Sequence, residues 1–150
     1  MMTMYTLPEI HNIRAEARSY NLSAPAVFWV RGAFELQQIC NGCGPEFFPS
    51  WARELSDFVF RHYKPAVAIH DYRFEYSDGT EFSRCAADME FYQNCLIIWR
   101  RKFGWSRWLN PIALWERRKI KLAYKALYYG SVVAWGDAYM KRKEREVGNV

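Results

Sequence analysis

The stretch from Arg84 to Lys102 constrains the chain most. Ala87, Phe91, Cys95 and Ile98 recur along it at intervals of four, four and three residues, which puts them on one helix face. Ser83 stands where a helix is capped, and Gly104 stands where one must stop. A long helix with one apolar stripe needs other helices to cover it, and the rest of the chain supplies them. Residues 8–20 read as a short helix or irregular lead-in. Ser23, with Pro25 in the first turn, opens a helix over Ala26 to Ile39 whose stripe is Val27, Val30 and Phe34. The sequence Cys40-Asn41-Gly42-Cys43-Gly44-Pro45 cannot continue a helix and forms a tight turn. Residues 51–62 predict a short helix, and Pro65 to Tyr76 another. Pro111 opens a last helical region over about 111–145, weakened at Gly130 and Gly136. No stretch demands a strand, although Ser77-Asp78-Gly79 leaves room for a small hairpin near 74–82. The expected fold class is mainly α, with two antiparallel core helices, one carrying His70 and Asp71, the other Asp88.

With 150 residues, 51% of them hydrophobic and 18% aromatic, the chain can bury a core without disulfides, and one domain over 1–150 is expected. No window of 18 residues is apolar and uncharged, and the opening MMTMYTLPEIHNIR lacks a basic stretch followed by an apolar run. The expected location is therefore cytoplasmic or virion-associated, at most peripheral to a membrane. Cys40, Cys43, Cys85 and Cys95 form one tight pair and one wide pair, which argues against a structural zinc site. Free buried thiols are the default, with a bridge from the Cys40/Cys43 turn to the Cys85/Cys95 helix as the alternative in an oxidising compartment.

Three polar residues interrupt apolar stretches. His70 and Asp71 follow Val67-Ala68-Ile69, and Asp88 follows Ala86-Ala87. Buried charges are seldom kept without partners. Neighbours on a helix diverge by about 100°, so one of the His70–Asp71 pair can face a ligand while the other faces the next helix. A histidine can take a proton from water, and a carboxylate on its other nitrogen fixes the tautomer. A second carboxylate with loop carbonyls makes a hard oxygen set suited to Ca²⁺. The plain structural alternative is a satisfied polar cluster joining two helices. His11 and His62 lie in polar surroundings and read as surface.

The C-N-G-C-G-P turn, the His70-Asp71 pair and the downstream Ala86-Ala87-Asp88-x-x-Phe91 resemble the phospholipase A₂ family, in the style of its compact viral, phage and bacterial members. The resemblance covers residues 38–96 as a catalytic-like core. It implies that Asp71 and the turn Gly42, Cys43 and Gly44 hold calcium. His70 would activate water, Asp88 would orient His70, and the substrate would be the sn-2 ester of a glycerophospholipid. Three features depart from the family pattern. Phe74 stands where a tyrosine is common, with Tyr72, Tyr76 and Tyr92 as the nearby hydroxyls. Glu46-Phe47-Phe48 follows Pro45 in place of further glycine. The gap from the turn to His70 is long. The chain is also similar to small phage-encoded helical proteins of no established function, which carry an H-D-x-x-Y helix, a later A-D-x-x-F helix and a segment like Tyr124 to Gly130. That second likeness implies an accessory or interaction protein with the same helical core and no chemistry.

Charge is uneven along the chain. Residues 1–99 carry 8 basic and 12 acidic side chains, whereas residues 100–150 carry 13 and 4. Trp99, Trp105, Trp108, Trp115 and Trp135 are interleaved with Arg100, Arg101, Lys102, Arg107, Arg117, Arg118 and Lys119. Tryptophan favours the lipid–water boundary, and basic groups are drawn to anionic headgroups. The region 99–150 is thus expected to meet an anionic phospholipid surface, with a phage or virion protein as the other partner. Core packing of the tryptophans is the plainer reading. Nucleic acid is a weaker fit, because no nucleic-acid-binding fold signature accompanies the pattern.

Overall fold

The computed structural model describes residues 5–40, 58–78, 80–127 and 144. The chain divides into two compact units, residues 1–75 and 76–150. Every described element is helical, as the spacing of apolar residues predicts.

In the first unit α1 spans Leu7–Ser19. Thr6 and Glu9 start it with a reciprocal cap. The Glu9 amide donates to Thr6 Oγ1 at 3.4 Å, and the Thr6 amide donates to Glu9 Oε2 at 2.8 Å. Ile10, Ile13 and Ala17, spaced by three and four, form its buried face. Asn21, at φ 53, turns the chain out of the helix, and the Leu22 amide closes back on the Ala17 carbonyl.

The expected single helix over 26–39 is two short ones, α2 (Ala26–Val30) and α3 (Ala33–Ile39). Arg31 and Gly32 both adopt extended backbone (ψ 143), which breaks the helical phase. Pro25, rather than Ser23, occupies the cap position. The break also moves the buried face. Val27, Val30 and Phe34 are exposed, and Phe28 and Leu36 are buried in their place.

Helix α4, Lys64–Glu75, lies within one residue of expectation at each end. Pro65, Ala66, Val67, Ala68, Ile69 and Tyr72 are all buried, so the helix is covered on most sides. Phe28 meets Tyr72 edge-on, with ring centroids 5.5 Å apart. Helix α1 packs on α3 and α4, and α3 packs on α4. Of the helix expected over 51–62, residues 58–60 are helical, and 51–57 lie outside the described residues.

The second unit begins with Thr80, whose Oγ1 accepts from the Ser83 amide at 3.2 Å and caps α5, Glu81–Phe103. Thr80 rather than Ser83 is therefore the cap. The hairpin near 74–82 does not form. Helix α4 runs to Glu75 and α5 starts at Glu81, which leaves too little chain between them for two strands. Ala87, Phe91, Cys95 and Ile98 are buried as their spacing predicts. Gly104 ends α5 at φ 52, a backbone angle that favours glycine. A 3₁₀ turn, Gly104–Trp108, leads to α6, Pro111–Ala126. Asn110 caps α6 by accepting from the Ile112 amide at 2.9 Å.

Helix α6 packs on α5, and aromatic groups fasten the two together. The Trp99 indole donates to the Ala113 carbonyl at 2.7 Å. The Arg117 guanidinium lies 5.7 Å from the Trp99 ring and 4.9 Å from the Trp108 ring, and Tyr92 stacks on Tyr124 at 4.6 Å. No helix among the described residues is long and apolar enough to cross a membrane.

Candidate functional site

Helix α4 changes character at His70. The five residues before it are buried, whereas His70 and Asp71 are half-buried and Tyr72 is buried again. From this pair onward the helix opens toward the surface: Phe74 is half-buried as well, and Arg73 and Glu75 are exposed. The His70 ring lies on that of Phe74, one turn on, with centroids 4.5 Å apart and planes at 41°.

A second element reaches the same part of α4. Cys40, which closes α3, donates its thiol to the Ala68 carbonyl at 3.3 Å. Burial, and after it the negative charge of Asp71, pushes the Cys40 thiol well above its ordinary range. The first residue of the glycine-rich turn is thus tied to the helix that carries Asp71, within reach of the carboxylate's charge. Gly42, Cys43 and Gly44 lie outside the described residues.

Asp88 lies in the second unit, on α5, and is 0% exposed. Among the residues expected to form one site, His70 and Asp71 thus share a helix of the first unit, and Asp88 belongs to the second. Asp88 has buried polar company on its own helix. Arg84, Glu90 and Asn94 are buried as well. Arg84 Nη2 lies 3.8 Å from Glu81 Oε1, an exposed carboxylate that water screens. Sequence reasoning singled out Asp88 and passed over these three. For Arg84 a signal was available. Positions 84, 88, 91, 95 and 98 follow one helical stripe, so Arg84 stands where an apolar residue is expected.

Among the described residues no group of three or more His, Cys, Asp and Glu side chains is arranged to hold a metal ion. The Ca²⁺ implied by the resemblance needs hard oxygen donors. Asp71 is one, and backbone carbonyls at 42–44 would be the others. The described residues thus supply one such donor, and 42–44 lie outside them. Cys40, Cys85 and Cys95 are thiols outside any disulfide.

The tryptophans of the basic region separate into two kinds. Trp99 is core, 1% exposed, whereas Trp105 is 96% exposed, Trp108 53% and Trp115 62%. Leu109 and Ile112 are exposed beside them. On α6, Ile112, Trp115 and Leu122 fall within one sector of about 80° at 100° per residue, opposite the buried Ala113 and Ile120. Arg118, Lys121 and Lys125 are exposed along the same helix. Trp135 lies outside the described residues.

Neither protein-family models, nor curated proteins, nor solved structures give a match to this chain.

Proposed function

We propose that the chain is a calcium-dependent, phospholipase A₂-like lipid esterase that works at an anionic membrane surface. The observation that carries the reading is the tie between Cys40 and α4. It anchors the start of the glycine-rich turn beside Asp71, the carboxylate that the resemblance pairs with that turn. Asp71 and the carbonyls of Gly42, Cys43 and Gly44 would hold the ion, which supplies charge stabilisation for a developing oxyanion. His70 is the base. It takes a proton from water as the water oxygen bonds to the sn-2 carbonyl carbon, then returns the proton to the departing glycerol oxygen as the ester C–O bond breaks. The products are a fatty acid and a lysophospholipid.

The exposed tryptophans and cations of 99–125 support the location. A solvent-facing apolar sector beside lysines and arginines is the composition of a helix that lies in a lipid interface. Each basic group near an anionic surface contributes on the order of 1 kcal/mol before screening. The test is fatty-acid release from anionic and neutral phospholipid vesicles with calcium or a chelator. Release should need calcium, favour anionic vesicles and vanish in His70→Gln, while that variant still sediments with the vesicles. Asp71→Asn should lose calcium binding in titration calorimetry. Equal calcium binding by both proteins would remove the metal from this site.

A second reading, an interaction protein without chemistry, is favoured by Phe74. It places a ring against His70 where the family commonly offers a hydroxyl. Vesicle binding without fatty-acid release would select it.

A further inference from the structure

The first unit has a cleft of about 670 Å³ that plays no part in the esterase reading. It is lined by one face of α1, with His11, Asn12, Arg14 and Arg18, and by the break between α2 and α3, with Trp29 and Arg31. That volume lies in the range of small-molecule sites.

Backbone geometry sets out its chemistry. The extended residues at the break interrupt the helical hydrogen bonds and leave carbonyls without intrahelical donors. Two arginines of α1 answer them. Arg14 Nη1 donates to the Arg31 carbonyl at 2.6 Å, and Arg18 Nη2 donates to the Trp29 carbonyl at 3.1 Å. Each guanidinium carries five N–H donors, so most of its capacity still points elsewhere. Arg14 and Arg18 are one turn apart on the same helix, where like charges oppose each other. None of the described residues lining the cleft is acidic. Arg31 forms an ion pair with Glu35, whose Oε2 lies 3.8 Å from its Nη1. The guanidiniums of Arg14 and Arg18 therefore line one cleft with His11, no carboxylate among its described lining residues answers them, and an anion would relieve their repulsion. The Trp29 ring, with the Arg18 guanidinium 5.7 Å from its centroid, adds an aromatic wall.

We infer that this cleft binds an organic phosphate, its phosphoryl oxygens on Arg14 and Arg18 and its planar part against Trp29. Guanidinium forks match phosphate oxygens two by two. A cleft this large leaves room for more than a bare phosphate. The inference uses none of His70, Asp71 or Asp88, so it stands or falls apart from the esterase reading.

The test is titration calorimetry of the full chain at low salt with AMP, adenosine, glycerol 3-phosphate and inorganic phosphate. AMP should bind, adenosine should not, and glycerol 3-phosphate should bind about tenfold more weakly than AMP for want of a ring. Arg18→Gln should weaken AMP by about tenfold or more, with Arg18→Lys between it and wild type. Arg18 is exposed, so these variants should fold, and circular dichroism checks that they do. Trp29→Leu should remove the advantage of AMP over glycerol 3-phosphate. The inference is overturned if no phosphate binds, if adenosine binds as well as AMP, or if folded Arg18→Gln binds AMP unchanged. Glycerol 3-phosphate binding as tightly as AMP would overturn the role of Trp29 and give the cleft to a headgroup-type phosphate.

Discussion

The two units are held together by different chemistry. In the first, polar side chains reach across the sequence to backbone carbonyls or to one another. Arg14 and Arg18 bond the α2–α3 break, Gln37 donates to the Tyr5 carbonyl at 2.8 Å, and Lys64 meets Glu9 at 3.4 Å. In the second, two long helices meet through rings: Trp99 on Ala113, Arg117 beside Trp99 and Trp108, and Tyr92 on Tyr124. Their charge differs too. Residues 1–75 carry 7 basic and 8 acidic side chains, and residues 76–150 carry 14 and 8. Short helices cannot hold themselves and depend on distant polar fasteners. Long helices bring most of their contacts with them, and so can leave apolar rings exposed for other work.

The comparison is most easily broken at Trp99. It is almost fully buried and joins α5 to α6 through its ring and its indole N–H. Trp99→Ala should cost about 3–5 kcal/mol, read by urea unfolding followed by circular dichroism. A loss under about 1 kcal/mol, the size of a surface substitution, would show that rings do not fasten the second unit.

The thiols sharpen the contrast from the other side. Cys40 is buried at the end of α3, Cys95 is buried in α5, and Cys85 is half-buried. Burial and the charge of Asp71 keep the Cys40 thiol neutral. Alkylation near pH 8, mapped by mass spectrometry, should modify Cys85 about tenfold faster than Cys40 or more. Because the folded value is raised, the stability linked to Cys40 is present below the unfolded thiol range. It is lost as pH rises beyond about 8.5–9, where the unfolded chain ionises first. Asp71→Asn should speed labelling of Cys40. Equal rates in the two proteins would place Asp71 too far away to matter, and would remove the main support for the turn–carboxylate pairing.

What the sequence makes legible follows the same division. Helix α5, its stripe, its stop at Gly104 and the start of α6 at Pro111 can be read from local spacing, because the partners are three or four residues apart. The first unit is less legible. Nothing local announces that Arg31 and Gly32 break the helix, since the carbonyls freed there are taken up by α1, many residues away. The stripe Val27, Val30 and Phe34 consequently pointed the wrong way. At the candidate site, the burial of Asp88 was legible from its apolar neighbours. The burial of Arg84 could be read from its place on the stripe, but that of Asn94 could not, because hydropathy counts it as a surface residue.

One local signal stood in the open, and it gives a smaller test. Thr6-Leu7-Pro8-Glu9 has the spacing of a reciprocal cap, and both of its bonds form. The Thr6 amide, and after it the Thr6 hydroxyl, hold the Glu9 carboxyl below its ordinary value, against the upward push of burial and with help from Lys64. Thr6→Ala should cost about 1 kcal/mol in thermal or urea unfolding. An unchanged midpoint would mean that α1 is held by its packing on α3 and α4 and that its cap is incidental, making the first unit more like the second.

The smallest effect is expected where the second unit begins. Asp78 is fully exposed, yet its carboxyl is held down to about 2 by the hydroxyl of Ser83, then by the hydroxyl and amide of Thr80. Its Oδ1 accepts from Thr80 Oγ1 at 2.7 Å and from the Thr80 amide at 3.0 Å. These bonds fix the residue that caps α5. The folded value lies below the ordinary 3.8, so the linked stability is present above that pH and is lost as pH falls from about 4 to about 2. Asp78→Asn removes the ionisation and keeps an acceptor. The variant should be a little less stable than wild type near neutral pH, because a neutral amide accepts these bonds more weakly than a carboxylate. Below pH 4 it should lose less stability than wild type. The measurement is the thermal midpoint against pH for both proteins, with the Asp78 side-chain carboxyl followed by NMR. Titration of that carboxyl near 3.8 would mean that the Thr80 and Ser83 bonds do not persist in solution. The cap on α5 would then rest on Thr80 alone, and the helix would owe its start to the apolar face it buries.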